Sequence, residues 1–339
     1  MSEQDERTRW IAVASALPAR SRLDAHATLD VAAAEQRERA RRAGARLILA
    51  GERDYPAALK PVPAPPLFLL VRGEIRADDA FALAIVGSRH PTPYGLAVTE
   101  RLAAELAARG VTIVSGFARG IDTAAHRGAL AAGGRTIAVL GSGVEVVYPP
   151  ENRALVPQVL EHGALVSQFP MTTPALAMNF PSRNRTIAAL ALGTLVVEAA
   201  ERSGALLTAG YAGELGREVF AVPGPVTSAV SRGTNGLIQD GAKLVQGWED
   251  VVAELPEAWR RCLREPAVVP AADALEADEA RLLGLVGAEA VHIDRLIEQS
   301  GVASGRMAAL LLALELKGCV RQLPGQRYMK LEGARAQRI

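Results

Sequence analysis

From residue 81 to about residue 245, short apolar segments alternate with longer amphipathic segments. Short segments that are apolar throughout predict strands buried on both faces, as in a parallel sheet covered by helices. The sequence therefore predicts an α/β fold with a doubly wound, mostly parallel sheet, whose ligands bind at the carboxyl ends of the strands. The predicted strands are 83–86, 111–114, 136–140, 164–167, 194–198, 218–222 and 243–245, and the predicted helices between them include 95–109, 122–132, 152–162, 184–192 and 205–215.

The segments on either side of this alternation predict smaller domains. Residues 1–46 have helical patterning, and two further strands are predicted at 46–49 and 67–71. After residue 255 the chain becomes rich in proline and alanine, which indicates a linker. Three predicted helices and two short strands then follow in the order of a winged helix. The predicted division is an N-terminal helical (SAM-like) domain at 1–46, the α/β domain at 47–255, a linker at 256–274, a winged-helix domain at 275–333 and a tail at 334–339.

Composition and charge exclude several classes of protein. The hydrophobic content of 49% and the charged content of 22% are those of a folded globular protein, not of a disordered one. No apolar run reaches the roughly 18 to 20 residues that span a bilayer, because charges, glycine or proline interrupt every candidate. The acidic N-terminus lacks the basic-then-apolar order of a secretory signal. We therefore expect a cytoplasmic protein without membrane attachment.

Metal, disulfide and acid–base chemistry find no support in the sequence. Cys262 and Cys319 are far apart, and the histidines have no spacing to other ligands that suits a metal ion. Asp122 is predicted to cap a helix, and His126, one turn later, is predicted to pack or to cap because no serine or cysteine nucleophile accompanies the pair. The sequence predicts no metal, no cofactor and no catalytic residue.

Glycine, serine and arginine follow the predicted strands. Gly87, Ser88 and Arg89 come at the end of the first strand, and Arg119 follows the second. Glycine allows a ligand to approach the backbone closely, and arginine grips phosphate with two hydrogen bonds. The Gly-x-Gly-x-x-Gly fingerprint and the Walker A lysine are both missing from this strand end, which argues against a dinucleotide site or a P-loop.

Residues 180–209 hold two further candidate anion sites. Two arginines around an asparagine lie where a helix is predicted to start, and a Ser-Gly-Ala turn opens the next helix. A helix start exposes unpaired N–H groups at the positive end of the helix dipole. Because these strand ends meet at one edge of the sheet, the combined pattern predicts a chain of phosphates as the ligand. The candidate residues in this segment are Phe180, Arg183, Asn184, Arg185, Ser203, Gly204 and Thr208.

These segments, in this order, resemble the DNA-processing protein A family, also called DprA or Smf. The resemblance is continuous over roughly residues 50–250, and its motifs are specific. Ser182 departs from the family pattern, which often has a basic residue at this place, and the departure implies a weaker electrostatic contact. The matching motifs include Val86-Gly87-Ser88-Arg89, Arg119-Gly120-Ile121-Asp122, Val139-Leu140-Gly141-Ser142-Gly143, Tyr148-Pro149, Phe180-Pro181, Arg183-Asn184-Arg185, Ser203-Gly204-Ala205-Leu206 and Gly233-Thr234-Asn235.

The resemblance implies a non-enzymatic protein that binds single-stranded DNA on an extended Rossmann-like domain. It also implies a role in natural transformation, in which incoming single strands are protected and a RecA-type recombinase is loaded onto them, and a homodimer formed through this domain. The implied DNA-binding positions are Gly87, Ser88, Arg89, Arg119, Phe180, Arg183, Asn184 and Arg185, with Ser203, Gly204 and Thr208 nearby.

Two other functions are compatible with parts of the sequence. A Rossmann-like nucleotide-processing or nucleotide-sensing enzyme, similar to the phosphoribohydrolases, would need a Pro-Gly-Gly-x-Gly-Thr turn with a catalytic glutamate downstream. The corresponding strand end here is 198–204, which has a different sequence. A transcription regulator would read DNA with the third helix of the winged helix, but that helix offers Arg306 on an otherwise apolar surface, which favours packing or protein contact.

Overall fold

The computed structural model describes residues 3–16, 27–265, 277–287, 289–316 and 319–331. The chain divides into two compact units, Met1–Pro266 and Ala267–Ile339. The predicted tail at 334–339 and residues 266–274 of the predicted linker lie outside the described residues. None of the helices in the described ranges has the length and apolar character needed to cross a bilayer.

The first unit is built on a nine-stranded sheet. Its strands are β1 (Ala45–Leu49), β2 (Phe68–Gly73), β3 (Ala82–Gly87), β4 (Thr112–Ser115), β5 (Thr136–Val139), β6 (Gly163–Ser167), β7 (Gly193–Val197), β8 (Glu218–Ala221) and β9 (Lys243–Leu244). Their order in the sheet is β1-β2-β6-β5-β4-β3-β7-β8-β9. The pairs β1–β2 and β2–β6 are antiparallel and the others are parallel. The mostly parallel α/β fold is thus confirmed.

Ten helices accompany the sheet in the described part of this unit. They are α1 (Glu3–Ser15), α2 (Ala27–Ala43), α3 (Pro93–Ala108), α4 (Ile121–Ala131), α5 (Val156–His162), α6 (Phe180–Leu190), α7 (Gly204–Glu214), α8 (Arg232–Gln239), α9 (Trp248–Glu254) and α10 (Glu257–Arg260). Alternate residues of β3 point to opposite faces of the sheet: Ala84 packs with residues of α6 and α7, whereas Leu83 and Ile85 pack with residues of α3 and α4. Burial on both faces explains why these strands are apolar throughout.

The two N-terminal helices pack against the sheet. Trp10 and Val13 of α1 belong to the same core as Leu70 of β2 and Leu165 of β6. The side chain of Gln36 in α2 accepts a hydrogen bond from the backbone N–H of Met171 at 2.8 Å. Helices and sheet therefore share a core, and a domain boundary at residue 46 stays a prediction.

Helix α6 begins at Phe180, four residues before its predicted start at 184. A 3₁₀ turn, Ala177–Asn179, leads directly into it, and Pro181 lies in its first turn. Proline is tolerated there because the N–H that it lacks would have no partner within the helix. Phe180, Arg183 and Arg185 consequently belong to one helix, and their positions around its axis decide what each contacts.

The second unit has the element order of a winged helix. Helices α11 (Ala277–Leu285), α12 (Ile293–Ser300) and α13 (Ser304–Leu316) accompany strands β10 (Val291–His292), β11 (Val320–Leu323) and β12 (Arg327–Lys330). Leu283, Leu296, Met307, Leu311 and Tyr328 form part of its core. The sequence predicts β11 and β12 but misses β10, because a two-residue strand carries no periodicity.

Candidate nucleic-acid interface

The candidate site lies where the chain connections reverse direction across the sheet. From β3 the chain continues to β4 on one side, whereas β7 pairs with β3 on the other. Helices leaving adjacent strands on opposite faces open a crevice at the carboxyl ends of the strands. Gly87 ends β3 here, and a Cβ at this position would clash with the carbonyl oxygen of Val197. The next residue is held in place because the Ser88 N–H donates to the carbonyl oxygen of Glu198 at 2.7 Å.

Two adjacent cavities occupy this crevice. The larger, which we call the central cleft, has a volume of about 280 Å³ and is lined by Gly87, Ser88, Arg89, Asp122, Arg183, Asn184, Ser203, Gly204 and Thr208, among others. The smaller, which we call the aromatic pocket, is lined by residues that include Arg89, Arg119, Tyr148, Phe180 and Arg183. Since Arg89 and Arg183 line both cavities, the two cavities form one continuous surface. All the sequence-predicted site residues except Arg185 line it.

Two guanidinium groups lie close to the ring of Phe180. The Cζ atom of Arg89 is 5.1 Å from the centroid of the Phe180 ring, and that of Arg183 is 5.3 Å from it. Phe180 is partly buried, and a Cβ at Gly141 would clash with its ring. A flat aromatic face beside cations is suited to a nucleotide base, because base–aromatic stacking and cation–π attraction act together in such sites.

Arg183 is buried beneath this surface. It is 3% exposed, and its Nη1 donates to the carbonyl oxygens of Gly116 and, at 3.0 Å, of Val139. A Cβ at Gly116 would collide with this guanidinium. Burial lowers the pKa of Arg183 to about 10, while the nearby Asp122 carboxylate favours its charged form. Gly116, Asp122 and Arg183 together make what we call the buried floor of the site.

Asp122 does not cap α4 as the sequence predicts. The helix is preceded by Gly120 with φ at 76°, a conformation that favours glycine, and no side chain caps it. The Asp122 carboxylate instead accepts a hydrogen bond from the N–H of Ala118 at 3.2 Å. Burial raises the pKa of Asp122, and the charge of Arg183 opposes that rise. The carboxylate therefore fixes the loop between β4 and α4 over the buried floor.

His126 is a packed residue, as the sequence predicts. Its Nδ1 lies 2.7 Å from the Oγ1 of Thr136, whose own hydroxyl donates to the carbonyl oxygen of Ile113. The hydroxyl can then only accept from His126, which makes Nδ1 the protonated nitrogen. Burial lowers the pKa of His126 to about 3. The ring is neutral and turned into the core, so it forms no acid–base pair with Asp122.

Arg185 lies apart from the other predicted residues. It lines a separate groove with Pro65 and Gln168, and its Cζ is 5.8 Å from the ring centroid of Tyr211. Residues two apart on an α-helix point about 200° away from each other, because each residue turns the helix by about 100°. Arg183 and Arg185 therefore cannot face the same cavity.

The start of α7 closes the other side of the central cleft. The Ser203 hydroxyl accepts from the N–H of Ala205 at 3.2 Å, which caps the helix. Gly204 is exposed, and the amide of Asn184 donates to its carbonyl oxygen at 3.2 Å. Thr208 is 1% exposed, and its hydroxyl donates to the same carbonyl at 3.4 Å. The predicted helix start is thus confirmed, with Thr208 buried behind it.

Three residues in or next to this surface are not predicted from the sequence as binding groups. Tyr148 lines the aromatic pocket with 41% of its surface exposed. Glu151 forms an ion pair with Arg119 at 2.7 Å, across 32 positions of the chain. Asn152 links the loops that carry this pair. The Tyr148-Pro149 motif could have pointed to Tyr148 in the sequence. No sequence pattern links Arg119 to Glu151, because the two residues are 32 positions apart.

The fold and the site define a class of protein: one with a doubly wound α/β domain that gathers arginines, an aromatic ring and a helix start at the carboxyl edge of its sheet. Within the described ranges, no group of three or more histidine, cysteine or acidic residues could hold a metal ion. Residues 46–256 match the family model for DNA recombination-mediator protein A, and residues 265–326 match that for the DprA winged helix domain. The chain belongs to this DprA/Smf family.

Individual relatives agree with this assignment. The chain is 43% identical over 296 residues to the protein Smf of Escherichia coli (strain K12), covering 85% of this chain and 78% of that protein. It is also similar to the crystal structure of DNA processing protein A from Streptococcus pneumoniae, with a TM-score of 0.61, 36% identity, and coverage of 68% of this chain and 82% of that one. A Helicobacter pylori DNA processing protein A, described for its single-stranded DNA binding mode, gives a TM-score of 0.56 at 28% identity and covers 61% of this chain and 93% of that one.

Proposed function

We propose that this protein binds single-stranded DNA along the surface formed by the central cleft and the aromatic pocket. The observation that carries the proposal is the continuity of the two cavities, which share Arg89 and together present arginines, Phe180 and the start of α7. Arginines and a helix start bind phosphates, and an aromatic face stacks a base whatever its identity. The single-stranded DNA bound by the Helicobacter relative supports the same ligand.

The proposed activity is binding without a chemical step. The glutamate that would serve a nucleotide-processing enzyme at this strand end is Glu198, which is 5% exposed. Its carboxylate accepts from the N–H of Thr92 at 2.8 Å and from the Thr92 hydroxyl. A carboxylate held in this way stabilises the start of α3 and is withdrawn from the central cleft. The burial of Glu198 argues against the phosphoribohydrolase-like alternative, which nucleotide hydrolysis lost in Glu198→Ala would instead favour.

The decisive experiment compares two arginine variants of the full chain. Fluorescence anisotropy with a labelled, unstructured oligo-dT measures the dissociation constant at two salt concentrations. We expect Arg89→Gln to weaken binding and to lower the salt dependence by about 0.7 in log–log slope, the value for one phosphate contact on a single strand. Arg41→Gln, on the exposed face of α2, removes the same charge away from the site and should leave both quantities unchanged. Equal effects of the two variants would refute this site.

We propose a wider role on the basis of membership of the DprA/Smf family. In the cytoplasm, the protein would protect single strands during DNA processing and natural transformation and would help to load a RecA-type recombinase onto them. The readout is recombinase ATPase activity on an oligonucleotide already coated by a single-strand-binding protein, with and without this chain. No acceleration by a chain that binds DNA would contradict the loading role alone.

We also propose that the protein is a homodimer formed through the α/β domain. Light scattering coupled to size-exclusion chromatography, over a range of concentrations, measures the mass of the full chain and of residues 1–266. A monomer mass for both species at all concentrations would contradict this proposal and leave DNA binding untouched.

A further inference from the structure

Glu151 covers the face of Arg119 that would grip a phosphate. The Nη2 of Arg119 lies 2.7 Å from the Oε1 of Glu151, and Nε lies 3.2 Å from the same oxygen. These two nitrogens form the edge of the guanidinium that makes two-pronged contacts with phosphate or carboxylate. The hydrogen bond from Arg119 lowers the pKa of Glu151, so the carboxylate is charged at neutral pH. A phosphate approaching this edge meets a negative charge already bound there.

Buried contacts hold together the two segments that carry this pair. Glu151 lies in a 3₁₀ turn, Pro150–Leu155, next to Asn152, which is 5% exposed. The Asn152 amide donates to the carbonyl oxygen of Phe117 and to the hydroxyl of Thr123, each at 2.9 Å. Phe117 belongs to the same loop as Arg119. The buried amide therefore ties the turn carrying Glu151 to the loop carrying Arg119, so the two side chains stay within reach of each other.

The other exposed arginine that lines this surface lacks such an ion pair. Arg89 forms no salt bridge with an acidic side chain among the residues that the structure describes, and its nearest acidic influence is the charge of the buried Asp122. Arg89 lies over the Phe180 ring and borders both cavities. The surface thus presents Arg89 as an exposed cation without a salt bridge, whereas Arg119 is a cation that Glu151 already neutralises.

We propose that Glu151 is a built-in competitor for DNA phosphate at Arg119. It holds the guanidinium while no strand is bound, and a strand reaching this end of the surface must displace it. The pair is exposed to water, with side-chain exposures of 48% for Arg119 and 61% for Glu151, so a strand can break it without a large barrier. Glu151 would thereby limit affinity at one end of the site and let a bound strand leave from that end. This inference rests on the proposed function of single-stranded DNA binding.

The test replaces the carboxylate with an amide of the same shape. We expect Glu151→Gln to bind oligo-dT about two- to fivefold more tightly at low salt, the range measured for exposed ion pairs. The slope of log affinity against log salt should stay close to that of the wild type, because Arg119 contacts the same phosphate in both complexes once Glu151 is displaced. Glu145→Gln is the matched control, since it removes an exposed carboxylate that contacts Arg39 instead; its affinity should rise less.

A double-mutant cycle separates this mechanism from general electrostatics. If Glu151 acts through Arg119, the gain from Glu151→Gln should disappear in an Arg119→Gln background. An unchanged or weaker affinity in Glu151→Gln would overturn the proposal, and so would a gain that persists without Arg119. Failure of the wild-type chain to bind oligo-dT at all would instead reject the proposed function itself.

Discussion

The buried floor and the exposed surface above it use the same residue type in different ways. Arg183, in the floor, is 3% exposed and donates to backbone carbonyls. Arg119, at the surface, is 48% exposed and contacts a side chain that a ligand can displace. A buried arginine shapes the loops and adds a fixed positive charge below the site, whereas an exposed arginine exchanges partners. An arginine in a binding motif can therefore stabilise the fold without contacting the ligand directly.

The largest effect that we expect comes from the floor. Arg183→Ala would leave the Gly116 and Val139 carbonyls without this donor and Asp122 without its nearby cation. Breaking such a buried set costs about 3 kcal/mol or more in the free energy of unfolding. Chemical denaturation monitored by circular dichroism measures it. Arg185→Ala, whose guanidinium lies near Tyr211, should cost about 1 kcal/mol or less.

Equal costs for Arg183→Ala and Arg185→Ala would remove the distinction between floor and surface. A loss of DNA binding in Arg183→Ala is informative only where the variant is folded, so binding is measured alongside the unfolding transition. Arg119→Ala supplies the opposite case, because we expect it to leave the free energy of unfolding nearly unchanged while weakening binding.

A second prediction concerns the histidine packed behind the floor. Burial lowers the pKa of His126 to about 3, from its usual value of 6.5. Below pH 6.5 the unfolded chain binds a proton at His126 that the folded chain does not bind. The free energy of unfolding therefore falls as the pH drops below 6.5. Between pH 7.5 and pH 5 this group should remove about 2 kcal/mol from the free energy of unfolding. Urea denaturation at a series of pH values measures the loss.

His126→Gln is the control for this pH dependence. Glutamine cannot take up a proton, so the variant should lose less stability than the wild type over the same range, by the same amount of about 2 kcal/mol. Asp122 acts with the opposite sign, because its pKa is raised and the folded state accepts a proton more readily. Parallel pH profiles for the wild type and His126→Gln would show that the histidine is solvated.

The third prediction concerns the exposed surface. Arg89→Gln should weaken binding of oligo-dT about tenfold at low salt, because a charged hydrogen bond contributes about 1.5 kcal/mol or more. Its free energy of unfolding should stay within about 0.5 kcal/mol of the wild type, as for most surface changes. Anisotropy and denaturation on the same preparation give both numbers. A large loss of stability would show that Arg89 stabilises the fold, as the residues of the buried floor do.

The sequence predicts the sheet well because its signal is local. Each strand of the α/β domain has its own apolar run, and the glycines, serines and arginines follow directly after the strands. The different positions of Arg183 and Arg185 cannot be predicted from such local patterns. The predicted start of α6 at residue 184 leaves Arg183 outside the helix, so the sequence does not reveal the rotation of about 200° between the two side chains. The burial of Arg183 depends on the carbonyls of Gly116 and Val139, which are far away in the chain. The Arg119–Glu151 pair is equally non-local.

The smallest effect that we expect comes from the winged-helix unit, whose third helix is the place where such folds contact DNA. Arg306 on α13 forms an ion pair with Asp278, and Leu312 on the same helix is 57% exposed. An arginine already paired with a carboxylate gains less from a phosphate than an unpaired one. Arg306→Gln should therefore change the affinity for oligo-dT less than about twofold. A tenfold loss, equal to that of Arg89→Gln, would show that the winged helix carries a share of DNA binding that its surface does not suggest.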